Sequence, residues 1–327
     1  MTDAAPRNGG DLSPTDRVDR LEPPAQGETV DVVLDSDTYN EIDDQYAIVY
    51  ALFSETINVE AIYAAPFSYG VSERVHGAET PAEGMEMSYE EIDRLLERVD
   101  VDWDGPVLRG AEAYMPEAGQ PVESEAVRDL VGRAQGRDDP LYVAAMGAPT
   151  NVASALLMEP SIAENIVVVW LGGDRWEWPN TSEFNLKQDV RASQLLFDSG
   201  VPFVHVPGRN ISEKLTTTVP ELERYVKGHG DIGDFLFTRF AEYQEQFGGP
   251  DESDAWSKEI WDISVIGYLV DPEWVPTAVI HSPILSSEFT WSRDPTRHFI
   301  REAKFVDRDA VFRDLFDKLA ANTEPTD

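Results

Sequence analysis

The sequence predicts an α/β fold, a Rossmann-like and mostly parallel central sheet with helices on both faces. Apolar runs alternate with amphipathic ones from Val30 to Val206, the rhythm of strand and crossover helix. Ile-Val-Val-Val-Trp-Leu at 166–171 is the strongest strand in the chain. Polar, carboxylate-rich segments follow directly on several of the apolar runs, where open α/β sheets bind ligands.

The elements follow in order. Residues 1–28 carry Pro, Gly, Asp and Arg with almost no apolar pattern and read as a flexible acidic lead-in. No basic segment followed by an apolar one stands there, so no export signal is expected. A buried strand is expected at Val30–Leu34, a helix at Asp43–Phe53, a strand at Val59–Ala64 and a charged helix at Ser88–Arg98. A strand at Leu141–Met146 leads to a helix around Asn151–Met158. After the 166–171 strand come a helix at Val190–Phe197 and a short strand at Phe203–Val206. Pro220–Gln246 reads as mostly helical and Ile260–Leu269 as a buried helix. Late strands are expected at Trp274–Ile280 and Arg297–Phe305, and a closing helix at Asp309–Ala321. Residues 322–327 form a polar tail. With no repeat and no linker, 29–321 reads as a single domain.

The 327 residues include 26 Lys+Arg and 62 Asp+Glu, a net charge of −36. Such a polyanion repels phosphate backbones, which argues against a nucleic-acid partner. No apolar run approaches the roughly 20 residues that span a bilayer, so no membrane partner is expected. The absence of cysteine excludes disulfides, thiol nucleophiles and thiolate zinc sites. Only 6 of the basic residues are Lys. Surfaces of this kind resemble those of proteins from salt-rich cytoplasm, where salt screens self-repulsion, and a cytoplasmic location is expected.

Four places carry chemistry. Asp35-Ser36-Asp37-Thr38-Tyr39-Asn40-Glu41-Ile42-Asp43-Asp44 puts five acids at a strand end and helix start. One acid there is ordinary capping. Five repel one another unless a cation sits among them, and Ca²⁺ takes such oxygen ligands. Met146-Gly147-Ala148-Pro149-Thr150-Asn151 is by itself an ordinary strand-to-helix turn. Segment 172–185 combines two glycines, two tryptophans, two asparagines and several carboxylates. That mixture suits sugar recognition, and equally a surface loop anchored by its tryptophans. In Ile260-Trp261-Asp262-Ile263 a carboxylate heads an apolar helix and wants a cation or a dipole.

In order and spacing these four places resemble the inosine–uridine-preferring nucleoside hydrolase family from about Val30 to Val270. The matching pieces are Asp35-Ser36-Asp37 with Asp43-Asp44, Gly147-Ala148-Pro149-Thr150-Asn151, Leu171-Gly172-Gly173 with Glu183-Phe184-Asn185 and Asp189, and Trp261-Asp262. The resemblance implies a Ca²⁺-dependent N-ribohydrolase of nucleoside salvage. It implies that Asp37, Asp44 and Asp262 bind Ca²⁺ through side chains and Met146 through its carbonyl. Asp37 would take the proton of the attacking water. Asp43, Asn180, Glu183 and Asn185 would hold the ribose hydroxyls, and Trp261 would stack on the base. The partner is a small nucleoside, and a homodimer or homotetramer is implied.

The chain departs from the family pattern in places. The turn between Asp37 and Asp43 is longer, so Asn40 or Glu41 is expected to contribute there. Ser68, with Tyr69 beside it, replaces an asparagine. Trp261 stands where a histidine often does, and none of the five histidines (His76, His205, His229, His281, His298) falls at an expected catalytic position. Two other readings fit parts of the pattern. One is a haloacid-dehalogenase-type phosphatase using Asp35 and Asp37. The other is a non-catalytic, Ca²⁺-dependent nucleoside or sugar binder.

Overall fold

The computed structural model describes residues 12–69, 77–117, 119–247 and 256–324. Its strands are β1 (Val30–Ser36), β2 (Ile57–Ala64), β3 (Val107–Arg109), β4 (Leu141–Ala145), β5 (Ile166–Leu171), β6 (Phe203–Val206), β7 (Thr216–Thr217), β8 (Lys258–Glu259), β9 (Thr277–His281), β10 (Ile284–Leu285), β11 (Trp291–Ser292) and β12 (Phe299–Ala303). The α-helices are α1 (Pro14–Arg20), α2 (Asp43–Leu52), α3 (Pro81–Leu96), α4 (Glu125–Ala134), α5 (Thr150–Met158), α6 (Phe184–Gln188), α7 (Val190–Ser199), α8 (Val219–Tyr225), α9 (Gly230–Phe247), α10 (Ile263–Val270) and α11 (Arg308–Asn322).

Eight strands form one sheet in the order β3-β2-β1-β4-β5-β6-β12-β9. Every pairing in it is parallel except β12 with β9. The mostly parallel α/β fold is thus present. The period of two in strand side chains divides the core between the sheet's faces. Val32, Leu34, Tyr142, Ala144, Val167 and Val169 join one apolar cluster with α2 and α10 residues. Val33, Val143, Ala145, Val168 and Trp170 join another with α4, α5 and α7 residues. Both faces are covered, which is why β5 is apolar throughout. Among the described residues no helix is long and apolar enough to cross a membrane.

Residues 1–11 of the lead-in lie outside the described residues, and the rest holds a helix where a flexible segment was expected. Within 1–28, residues 14–20 form α1, whose Ser13 hydroxyl accepts from the Asp16 amide at 3.1 Å, with Pro14 in the first turn. Leu21, 1% exposed, packs into the interior. Arg17 Nε donates to the Gly200 carbonyl at 2.5 Å, and Arg301 donates to the Leu21 carbonyl. One buried leucine and two arginine anchors hold residues 14–21, which lack apolar periodicity.

Candidate active site

The site lies where the order of the sheet reverses. β1 pairs with β2 on one side and β4 on the other, so the connections leaving their carboxyl ends diverge and open a crevice. The β1 end delivers Asp35, Ser36 and Asp37, and the β4 end delivers Met146. The Met146 amide donates to the Asp35 carbonyl at 2.8 Å, which joins the two ends. Gly147 leaves room beside them, since a Cβ there would stand a tight 3.0 Å from the Asp37 side chain. A cavity of about 260 Å³ fills the crevice.

Asp37, Asp43, Asp44 and Asp262 all line this cavity, and none is more than 5% exposed. Asp43 and Asp44 open α2, while Asp262 stands at the head of α10 without capping it through its side chain. One carboxylate oxygen from each of Asp43, Asp44 and Asp262 falls within 4.8 Å of the others. Asp37 stands beside this trio. Burial, then the charges of Asp44 and Asp43, pushes the Asp37 carboxyl well above its ordinary range. Burial also raises Asp262, with Asp43 and Asp44 adding to the rise. Burial chiefly raises Asp43 to about 6 and Asp44 to about 8.

Acids packed this way are only partly compensated. The Ser36 hydroxyl donates to Asp44 Oδ1 at 2.5 Å, but Asp37 Oδ2 and Asp262 Oδ1 are buried without a hydrogen-bond partner. Converging buried carboxylates with orphaned oxygens suit a hard, oxygen-seeking cation, so the donor set fits a metal ion.

The opposite wall comes from the loop after β5. Glu183 caps α6: its carboxylate accepts from the amides of Gly173 at 2.6 Å, Asn185 at 2.9 Å and Leu186 at 3.1 Å. Burial still raises its pKa, while those amides lower it. Asn185 Nδ2 donates to the carbonyls of Met146 at 2.9 Å and Leu171 at 3.0 Å. With both amide hydrogens used, Asn185 offers a ligand its Oδ1.

Trp261 lines the cavity, and Lys258 Nζ lies 5.6 Å from its ring centre. Lys258 also pairs with Glu41 at 2.7 Å. Burial opposes the lysine's charge, but Glu41 and Asp43 outweigh it and raise the pKa. Both Asn40 and Glu41 line the cavity. Tyr69 holds Asn40 through the latter's side-chain oxygen and its carbonyl. Ser68 is held at its backbone by Gln188.

Asn180 is not brought to the cavity. It is exposed and accepts from the Ser182 amide at 3.0 Å within its own loop. Asp174, Ser182 and Phe184 of the same loop line the cavity instead. Asp35 does not line it either. It is buried, with Oδ1 held by Asn151 Nδ2 at 2.8 Å, so the phosphatase reading loses its nucleophile. Gly208 and Arg209, after β6, also line the cavity and stood outside the four places read from sequence. A strand ending in Pro-Gly-Arg was the available signal.

A family model described as inosine-uridine preferring nucleoside hydrolase matches residues 32–311. The pyrimidine-specific ribonucleoside hydrolase RihB of Escherichia coli O157:H7 is 27% identical over 189 residues, 54% of this chain and 55% of that protein. The chain thus spans about half the length of the curated relatives it matches. Among solved structures, a purine-preferring ribonucleoside hydrolase from Gardnerella vaginalis superposes with a TM-score of 0.67 at 20% identity, covering 89% of this chain and 98% of that one. An inosine-uridine preferring nucleoside hydrolase from Bacillus anthracis gives a TM-score of 0.63 at 15% identity, covering 89% and 99%. These likenesses agree on the fold.

Proposed function

Because the chain belongs to the inosine-uridine preferring nucleoside hydrolase family, we propose that it hydrolyses the N-glycosidic bond of ribonucleosides to ribose and free base. The observation that carries this reading is the convergence of Asp37, Asp43, Asp44 and Asp262 in one crevice at the sheet's switch point.

Asp37, Asp44 and Asp262, with the Met146 carbonyl, would hold Ca²⁺, which when bound supplies a water of lowered pKa and a grip on the ribose diol. Asp37 takes the proton of the attacking water. Asp43, the Asn185 Oδ1 and the Glu183 carboxylate accept from the ribose hydroxyls. As the C–N bond stretches, positive charge grows on the sugar ring. The surrounding oxygens stabilise that charge because they are already in place. Trp261 offers an aromatic face to the base. The reading extends to nucleoside salvage in a salt-rich cytoplasm, by a chain acting as a homodimer or homotetramer.

A reducing-sugar assay over a panel of nucleosides in high KCl, with and without chelator, tests the proposal. Ribose release that stops in chelator and is abolished in Asp37→Asn supports it. Absence of release from every nucleoside with Ca²⁺ supplied, or full activity of Asp37→Asn, overturns it.

A further inference from the structure

Cleaving the glycosidic bond drives an electron pair onto the base, and groups that accept the growing charge lower the barrier. Among the described residues no histidine lines the cavity, and the carboxyls of Asp37, Asp43, Asp44 and Asp262 offer a departing anion no positive charge. Arg209 is the one cationic side chain lining it among the described residues.

The turn after β6 brings Arg209 close to the place proposed for the base. A Cβ on Gly208 would stand 3.3 Å from Cγ of Glu183 and 3.9 Å from the Trp261 ring, which places this backbone beside Trp261. Its amide donates to the Gly173 carbonyl at 2.9 Å, tying the turn to the loop after β5. Buried Asp174 then orients the arginine. Asp174 Oδ1 accepts from the Arg209 amide at 3.2 Å, and Oδ2 lies 3.7 Å from the guanidinium. That Oδ2 has no hydrogen-bond partner. The arginine side chain is 46% exposed, and its guanidinium lies 5.6 Å from the Trp178 ring centre. Its long ion pair with Asp174 holds it at the cavity while leaving the guanidinium partly open to solvent.

We propose, on the basis of the hydrolase reading, that Arg209 faces the departing base, stabilises it as an anion and selects for bases that present carbonyl oxygens. A guanidinium only donates. It matches the paired acceptors of a 6-oxopurine edge and meets the amino group of adenine as donor against donor. Being permanently charged, it acts without transferring a proton. The water oxygen bonds to C1′ as the C1′–N bond breaks, and the freed electron pair spreads to the base carbonyl facing Arg209. The water's proton passes to Asp37, and the base takes a proton from solvent after it departs. Asp174 is a positioning residue for this arrangement.

The test compares inosine, adenosine and p-nitrophenyl riboside as substrates of the wild type, Arg209→Ala and Arg209→Lys. Nitrophenolate leaves without help, so Arg209→Ala should lose roughly a hundredfold more kcat/KM on inosine than on the nitrophenyl riboside. The inosine-to-adenosine ratio should fall at least tenfold. Millimolar guanidinium should restore part of the inosine activity of Arg209→Ala, which a merely structural role would not allow. Equal losses on all three substrates would overturn the assignment while leaving the hydrolase reading intact. An alkaline limb in kcat that vanishes in Asp174→Asn would also overturn it, giving the leaving group its proton from Asp174. A wild type inactive on all three substrates and on uridine and cytidine would defeat the hydrolase reading itself, and Arg209's role with it.

Discussion

Asn185 donates its side-chain amide to the Met146 carbonyl across 2.9 Å, fastening the loop after β5 to the end of β4. One residue thereby orients the backbone oxygen proposed as a metal ligand and leaves its own Oδ1 free to accept. In Asn185→Ala two buried carbonyls lose a donor, a cost of about 1–3 kcal/mol. The expected outcome is a lowered Tm together with weaker Ca²⁺ binding by calorimetry. A variant with a lowered Tm but unchanged Ca²⁺ affinity would separate Asn185 from the ion's site.

The acid cluster makes a signed prediction about pH. Asp44 is raised from the ordinary 3.8 to about 8, with burial the main cause, and Asp43 to about 6. Between those limits the folded, metal-free protein holds protons that the unfolded chain releases. Stability from this source is therefore present at low pH and lost as pH rises toward 8. In chelator, Tm should fall between about pH 5.5 and pH 8. Added Ca²⁺ competes with those protons and should raise Tm more at the higher pH. A Ca²⁺ effect independent of pH across this window would contradict the linkage.

Trp261 sets a second specificity prediction. Its ring lines the cavity, and a stacked purine covers more of such a ring than a pyrimidine does. Trp261→Ala should cost purine nucleosides about tenfold more in kcat/KM than pyrimidine nucleosides, at roughly 1 kcal/mol or a little more of stacking. Steady-state kinetics on inosine and uridine check this. Equal losses would remove the stacking role.

The parts of the fold legible in sequence were those buried on both faces. β5 and β6 fall at their expected residues because every position in them is buried, leaving no polar face to blur the ends. β3 escaped because three half-buried residues carry no pattern. α3 begins at Pro81, seven residues before the expected start, because Thr80 and Glu83 form a capping box that the charged run obscured. The acids of the site were legible because residues at strand ends have places fixed by the sheet. Asn180 was not, since nothing in the spacing of its loop says which way it turns. Arg209 escaped because its partners, Asp174 and Trp178, come from the loop after β5, more than thirty residues off in the chain.

Leu21 tests whether the segment before β1 belongs to the folded unit. It is 1% exposed and lies next to the described helix α1. Leu21→Ala should lower stability by about 2–4 kcal/mol in urea unfolding, as for other buried leucines. A change below about 0.5 kcal/mol would show that the segment is dispensable to the fold.

The most direct measurement of the central claim is anomalous diffraction from a crystal equilibrated in millimolar Ca²⁺. A single peak bonded to Asp37, Asp44 and Asp262 and to the Met146 carbonyl is the expected result. A cavity that takes up no ion at saturating calcium, or an ion that leaves Asp37 and Asp262 uncoordinated, would contradict the account.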